Sequence, residues 1–246
     1  MAVWRRGLGL LLTVVLVAGV AACGVRNGGT QPDSDDGTDS SVADGTTTGA
    51  RIASSLSEYI RSLLADDDDH SMAETQRSTL ERALEHEGRV SVADYESAWA
   101  DYKQCVAGHG YSEPVLIKYD NGIYVTALRE DDSSDDARRR KFLEDDAACF
   151  ATHALYVNAV YGMQVGNPEL LVNTDQATVD CLIREDAVPV GYDAGQYKED
   201  ERLYLSEKGT PTLDFSDAVV RSCLAANGWP IGNDQAVWRP FDTPAN

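Results

Sequence analysis

The chain has 246 residues, with 21 Lys and Arg against 41 Asp and Glu, for a formal charge of −20. A balance this acidic repels phosphate backbones and anionic lipid surfaces. It excludes nucleic acid as a partner and means that any membrane attachment has another source. The length suffices for one or two small domains with a true core.

The chain opens as an export signal. Arg5 and Arg6 precede an apolar run, Leu8 to Val20, and small residues Ala21 and Ala22 lead to Cys23. The run is shorter than the ~20 residues of a stable membrane span. Val20, Ala21, Ala22 and Cys23 resemble the lipobox of bacterial lipoproteins, with Val20 where leucine is commoner. The resemblance implies a signal peptide over 1–22 and acylation of Cys23, with a diacylglycerol on the thiol and an acyl chain such as palmitate on the freed amine. Two or three chains hold stably where one is marginal, at ~0.8 kcal/mol per buried CH₂. The alternative is an ordinary secretory signal with Cys23 as a leftover thiol. Removing the signal with its two arginines deepens the charge to −22.

Residues 23–50 are Gly, Ser, Thr and Asp with almost nothing apolar. They read as a disordered tether with a typical reach of ~30 Å. A helical lead follows over 51–90. Ile52, Leu56, Tyr59, Ile60, Leu63 and Leu64 recur at helical spacing, and Ser71 is positioned to cap a second helix that Gly88 stops. The run from Asp66 to Asp69 with His70 lacks the glycine and spaced acids of a calcium loop and reads as solvated. Ser91 and Asp94 have capping-box spacing, and Val92, Tyr95, Trp99, Tyr102, Val106 and His109 recur at 3-4-3-4-3 spacing on one helical face. Asn121-Gly122 between two β-rich runs predicts a hairpin with a type I′ turn. A long helix is expected from Asp136 to Tyr161, facing inward with Leu143, Ala147, Phe150, Ala154, Val157 and Tyr161. Asn167-Pro168 reads as a helix start, followed by a helix through Cys181. Residues 188–192 and 202–205 read as short strands, 215–226 as a helix, and 230–246 as an irregular tail.

Cys23 apart, four cysteines remain: Cys105, Cys149, Cys181 and Cys223. An even number in an exported chain reads as two disulfides, and four cysteines permit three pairings. Each lies on an expected helix with an apolar residue directly after it. The pattern reads as two copies of one unit, helix with Cys, short β element, helix with Cys, over 91–162 and 167–229. If each unit closes on itself, the bonds are Cys105–Cys149 and Cys181–Cys223. Each then closes a loop of about 40 residues, for which chain entropy suggests ~4 kcal/mol. The fold class is mainly α with short β-hairpins (α+β), in two disulfide-stapled helical units.

The segments Glu87–Glu96 and Tyr102–Tyr111, with the later Ala147-Ala148-Cys149, resemble the Cys-helix-Gly segments of actinobacterial lipoproteins of unassigned activity. The resemblance spans roughly 75–160. It implies an exported, disulfide-bonded domain and names no catalytic residue.

Cys105 with His109, and Cys149 with His153, each sit four apart on a helix. Facing one another they would make a Cys₂His₂ tetrahedron for zinc. The competing reading is a disulfide flanked by two packed histidines, which an oxidising compartment favours, so no metal is expected. Tyr95, Trp99 and Tyr102 read as a core stripe, with an exposed sugar platform as the alternative. No phosphate loop, dinucleotide glycine pattern, nucleophile elbow or His-Glu-x-x-His is present, so no cofactor and no catalytic residue is assigned. The expectation is a lipid-anchored, extracytoplasmic cell-envelope protein, a non-catalytic binding or interaction module for a protein or cell-wall partner. The alternative is an envelope hydrolase acting on glycan or peptide through acidic residues.

Overall fold

The computed structural model describes residues 49–66, 72–130, 135–232 and 236–242. The signal peptide, Cys23, most of the tether and the run from Asp67 to His70 lie outside the described residues. The described part belongs to one body spanning Gly45–Asn246.

The fold is mainly helical, with eight helices and two small strand pairs among the described residues. In chain order these are α1 (Leu56–Ala65), α2 (Glu74–Leu84), α3 (Val92–Gly108), β1 (Leu116–Lys118), β2 (Tyr124–Thr126) and β3 (Leu128–Arg129). Then come α4 (Asp136–His153), α5 (Leu155–Gly166), α6 (Thr174–Arg184), α7 (Ala194–Ser206), α8 (Ala218–Ala226) and β4 (Val237–Trp238). Side-chain caps set most starts. The hydroxyls of Ser55 and Ser91 and the side chains of Asp135, Asn173, Asp193 and Asp217 accept from first-turn amides of α1, α3, α4, α6, α7 and α8.

The expected long helix over 136–161 is two helices. The break falls at Ala154, and a side chain far away in sequence holds it. Gln76 on α2 is 1% exposed. Its amide nitrogen donates to the carbonyls of Ala151 (3.0 Å) and Thr152 (2.8 Å). Its oxygen accepts from the amides of Tyr156 (2.9 Å) and Val157 (3.3 Å). One amide thus bridges both helix ends, and the Ala73 amide adds a second donor to the Thr152 carbonyl at 2.9 Å. The inward face of α4 also differs from the expected one: Phe142 and Cys149 are buried, whereas Leu143, expected inward, is 45% exposed.

Other local expectations are also corrected. β1 and β2 pair antiparallel with Ile117 opposite Val125, as the hairpin signal required. The turn is not type I′. Gly122 has φ +87, while Asn121 is not among the positive-φ residues, and Gly122 N–H donates to the Tyr119 carbonyl at 2.9 Å. This fits a three-residue loop whose glycine takes the left-handed position. Asn167 closes α5 rather than opening α6, and its buried side chain exchanges two hydrogen bonds with the Leu171 backbone. Asn173 caps α6 instead. Residues 202–205 lie in α7, which a capping box between Asp193 and Gln196 starts, and Val190 in the other expected strand is 86% exposed. The tail is not merely irregular. Val237 and Trp238 pair in parallel with Leu128 and Arg129.

Unit one buries an aromatic core. Tyr95, Trp99 and Tyr102 on α3 meet Tyr161 and Phe150, and Tyr95 stacks on Tyr161 at 4.0 Å. The chain end completes it: Trp238 is 1% exposed, against Phe142 at 5.4 Å, with its indole N–H on Ser112. Unit two has its own cluster, with Val179, Leu182, Tyr197, Leu213, Phe215, Val220 and Leu224 inside. The units meet where α5 crosses α8. A Cβ on Gly166 would sit 2.5 Å from the Ala226 Cβ, so only glycine lets the two helices approach this closely.

Candidate functional site

Two disulfides join the expected pairs. Cys105 on α3 bonds Cys149 on α4, and Cys181 on α6 bonds Cys223 on α8, with Cα separations of 5.6 and 5.7 Å. In both units a connector separates the Cys-bearing helices in sequence, a hairpin in unit one and α7 in unit two.

The four-ligand zinc arrangement is not assembled. Both cysteines of unit one are oxidised, and a metal needs thiolates. Three of the four residues do converge: the two sulfurs and a ring nitrogen of His109 lie within 4.8 Å of one another. His109 is the C-cap residue of α3. Its Nδ1 faces Asp145 Oδ2 at 3.7 Å. Asp145 also accepts from Lys141 (2.8 Å) and from the Tyr111 hydroxyl (2.7 Å), which hold its carboxyl below the usual aspartate value. Burial, then the bond to Asp145, pushes the Tyr111 hydroxyl up to about 12, so it remains a donor to that carboxylate. His153 takes no part. It lines a cleft between α2 and α3 with Gln76, Arg82, Asp94 and Asp101, and its Nδ1 is buried without a partner. The break at Ala154, directly after His153, ends α4 there.

Tyr95, Trp99 and Tyr102 are core, at 0%, 4% and 1% exposure, and offer no sugar platform. Burial, followed in importance by the hydrogen bond to Asp146, pushes the Tyr102 hydroxyl far up.

The largest-volume groove among those described lies in unit two, at about 560 Å³. Its walls are the end of α6 and the start of α8. Glu185 stands four residues after Cys181, and Val219 four before Cys223, so each wall hangs one turn beyond the disulfide that fixes their spacing. Val188, Pro189, Tyr192, Leu213 and Val220 supply apolar lining, and Glu185, Asp186, Asp214 and Asp217 supply carboxylates. The lining contains no Lys, Arg or His. Asp217 caps α8, Asp214 accepts from Ser216, and Glu185, the C-cap residue of α6, has Arg184 Nε 3.5 Å from its carboxylate.

Asp200 on α7 stands behind this groove, 3% exposed. One carboxylate oxygen accepts from the Thr212 amide (2.6 Å). The other accepts from the hydroxyls of Tyr192 (2.8 Å) and Thr212 (2.7 Å) and from the Leu213 amide (3.2 Å). Burial alone would raise this carboxyl, but the donors together hold it below the usual value. The charge therefore clamps the two loops that line the groove. The groove joins residues 185–196 to residues 212–220, two stretches well separated in sequence. The one local sign was the Asp193-x-x-Gln196 capping pair, which fixes α7 and hence Asp200.

No helix among the described residues is long and apolar enough to cross a membrane. No family model, curated protein or solved structure matches the chain.

Proposed function

We propose that this chain is an exported cell-envelope protein, anchored through acyl chains on Cys23, whose second Cys-helix unit is a binding module. Its groove takes a cationic segment with apolar neighbours from a protein or cell-wall partner. One observation carries the reading: the groove of unit two joins apolar lining to four carboxylates and no basic side chain. A buried apolar contact supplies affinity, and four carboxylates, of which Glu185 has a basic neighbour in Arg184 at 3.5 Å, supply selection by charge. The paired cysteines suit an oxidising space. The basic start, apolar run and Ala21-Ala22-Cys23 support export and lipidation.

The hydrolase reading asks for a buried carboxylate pair in a cleft. Asp200 is the one buried acid among the described residues, and its two oxygens already accept four hydrogen bonds. It is a clamp rather than a proton carrier.

Titration of the full chain with a short peptide alternating Lys and Leu tests the groove. Glu185→Gln with Asp186→Asn is expected to weaken binding about tenfold. Asn suits the φ of +57 at position 186, so the backbone is spared. Glu81→Gln with Glu144→Gln, on exposed helix faces, removes the same charge elsewhere and is expected to leave binding nearly unchanged. Equal losses in both double variants would reduce the groove to a bulk charge effect. For anchoring, Cys23→Ala is expected to release the protein from the membrane fraction, and retention there would refute lipidation.

A further inference from the structure

We propose that the Cys105–Cys149 corner of unit one becomes a metal site when its disulfide is opened, with the two thiolates and the His109 imidazole as ligands for a zinc-class divalent cation. The ligand atoms are already gathered. The two sulfurs and a His109 ring nitrogen lie within 4.8 Å of one another. A tetrahedral zinc with bonds near 2.1–2.3 Å needs its ligand atoms about 3.5–3.8 Å apart. Separating the sulfurs and drawing the imidazole inward therefore takes side-chain adjustment alone. Cys105 and His109 sit four apart at the end of α3, and Cys149 faces them from α4, so packed helices hold all three backbones.

The surroundings suit a metal as well. Asp145 faces Nδ1 of His109 and is itself fixed by Lys141 and Tyr111. A carboxylate behind a ligating histidine sets ring orientation and raises ligand basicity. The His109 side chain is 44% exposed, which leaves a way in and room for water at the fourth position. The two disulfides differ in access at one sulfur. Cys105 is partly exposed, whereas Cys149, Cys181 and Cys223 are 1%, 2% and 1% exposed. A reductant approaches the bond beside His109 through Cys105, while Cys181 and Cys223 face a pocket between α6 and α8.

The opening step needs an external dithiol. One of its thiolates attacks a disulfide sulfur, the mixed disulfide is resolved by its second thiol, and a cyclic disulfide leaves. Two electrons and two protons pass to Cys105 and Cys149, and the incoming cation then displaces both thiol protons.

The test uses the full chain reduced with a phosphine and titrated with cobalt(II), then zinc. One equivalent of cobalt is expected, with sulfur-to-cobalt charge-transfer absorption that zinc abolishes, and Cys105 and Cys149 protected from alkylation. His109→Ala is expected to weaken binding at least about tenfold while leaving the thiol count unchanged, and His153→Ala to leave it as it is. The proposal fails if the reduced chain takes up no metal, if His109→Ala binds as tightly, or if protection falls on Cys181 and Cys223 instead. It also fails if reduction abolishes the helical circular dichroism and metal does not restore it.

Discussion

The two Cys-helix units share a connectivity and differ in what lies around the sulfur. In unit one Cys149 is buried but Cys105 is partly exposed, beside His109 and Asp145. In unit two both cysteines are buried, and the bond spaces the walls of a groove. The cores differ too. Unit one closes with aromatic rings and borrows Trp238 from the chain end, while unit two closes around a clamped carboxylate. The same staple thus sits in two settings: in unit two it spaces the walls of a groove, and in unit one it lies against a histidine and a carboxylate.

The largest test of the difference is Trp238→Ala. Removing a buried indole is expected to cost about 4 kcal/mol. Because Trp238 packs on Phe142 and Ser112, hydrogen exchange is expected to quicken in α4 and the hairpin first, with α6 and α8 keeping their protection longer. Uniform loss across both units would show that their cores do not act separately.

Gln76→Ala comes next, at about 3 kcal/mol. It removes the side-chain partner of the Ala151 carbonyl and of the Tyr156 and Val157 amides at the α4–α5 break, while the Thr152 carbonyl keeps the Ala73 amide. Chemical denaturation checks the magnitude. A cost near zero would mean that water satisfies the break unaided.

Asp200→Asn is the smallest, about 2 kcal/mol at neutral pH, and it falls on unit two. The Asp200 carboxyl is held below its ordinary value. Its stabilisation is thus present above the unfolded value of about 4 and lost as pH falls through the lower folded value. The gap between the wild type and this variant is expected to close in acid. A gap that stays constant from pH 7 to pH 2 would remove Asp200 from the acid response.

Much of this was legible from short-range pattern. Ser91 with Asp94 marked the start of α3, and an apolar residue after each cysteine exposed the repeat and its pairing. What escaped depends on distant partners. Nothing near Ala154 announces a break, because the side chain that sustains it lies on α2. Two-residue β4 is too short to leave a period, and Trp238 is held by partners distant in sequence, the Leu128–Arg129 strand, Phe142 and Ser112. Residues 202–205 alternate like a strand, yet the Asp193 cap had already committed the segment to a helix. The groove joins residues 185–189 to 212–220, which periodicity cannot bring together.

The most direct measurement is graded reduction of the full chain, with alkylation mapped by mass and Lys-Leu peptide binding followed in parallel. Labelling is expected at Cys105 and Cys149 first, with peptide binding retained until Cys181 and Cys223 react. Labelling of Cys181 and Cys223 first, or loss of binding with the first pair, would contradict the assignment of scaffold to one bond and chemistry to the other.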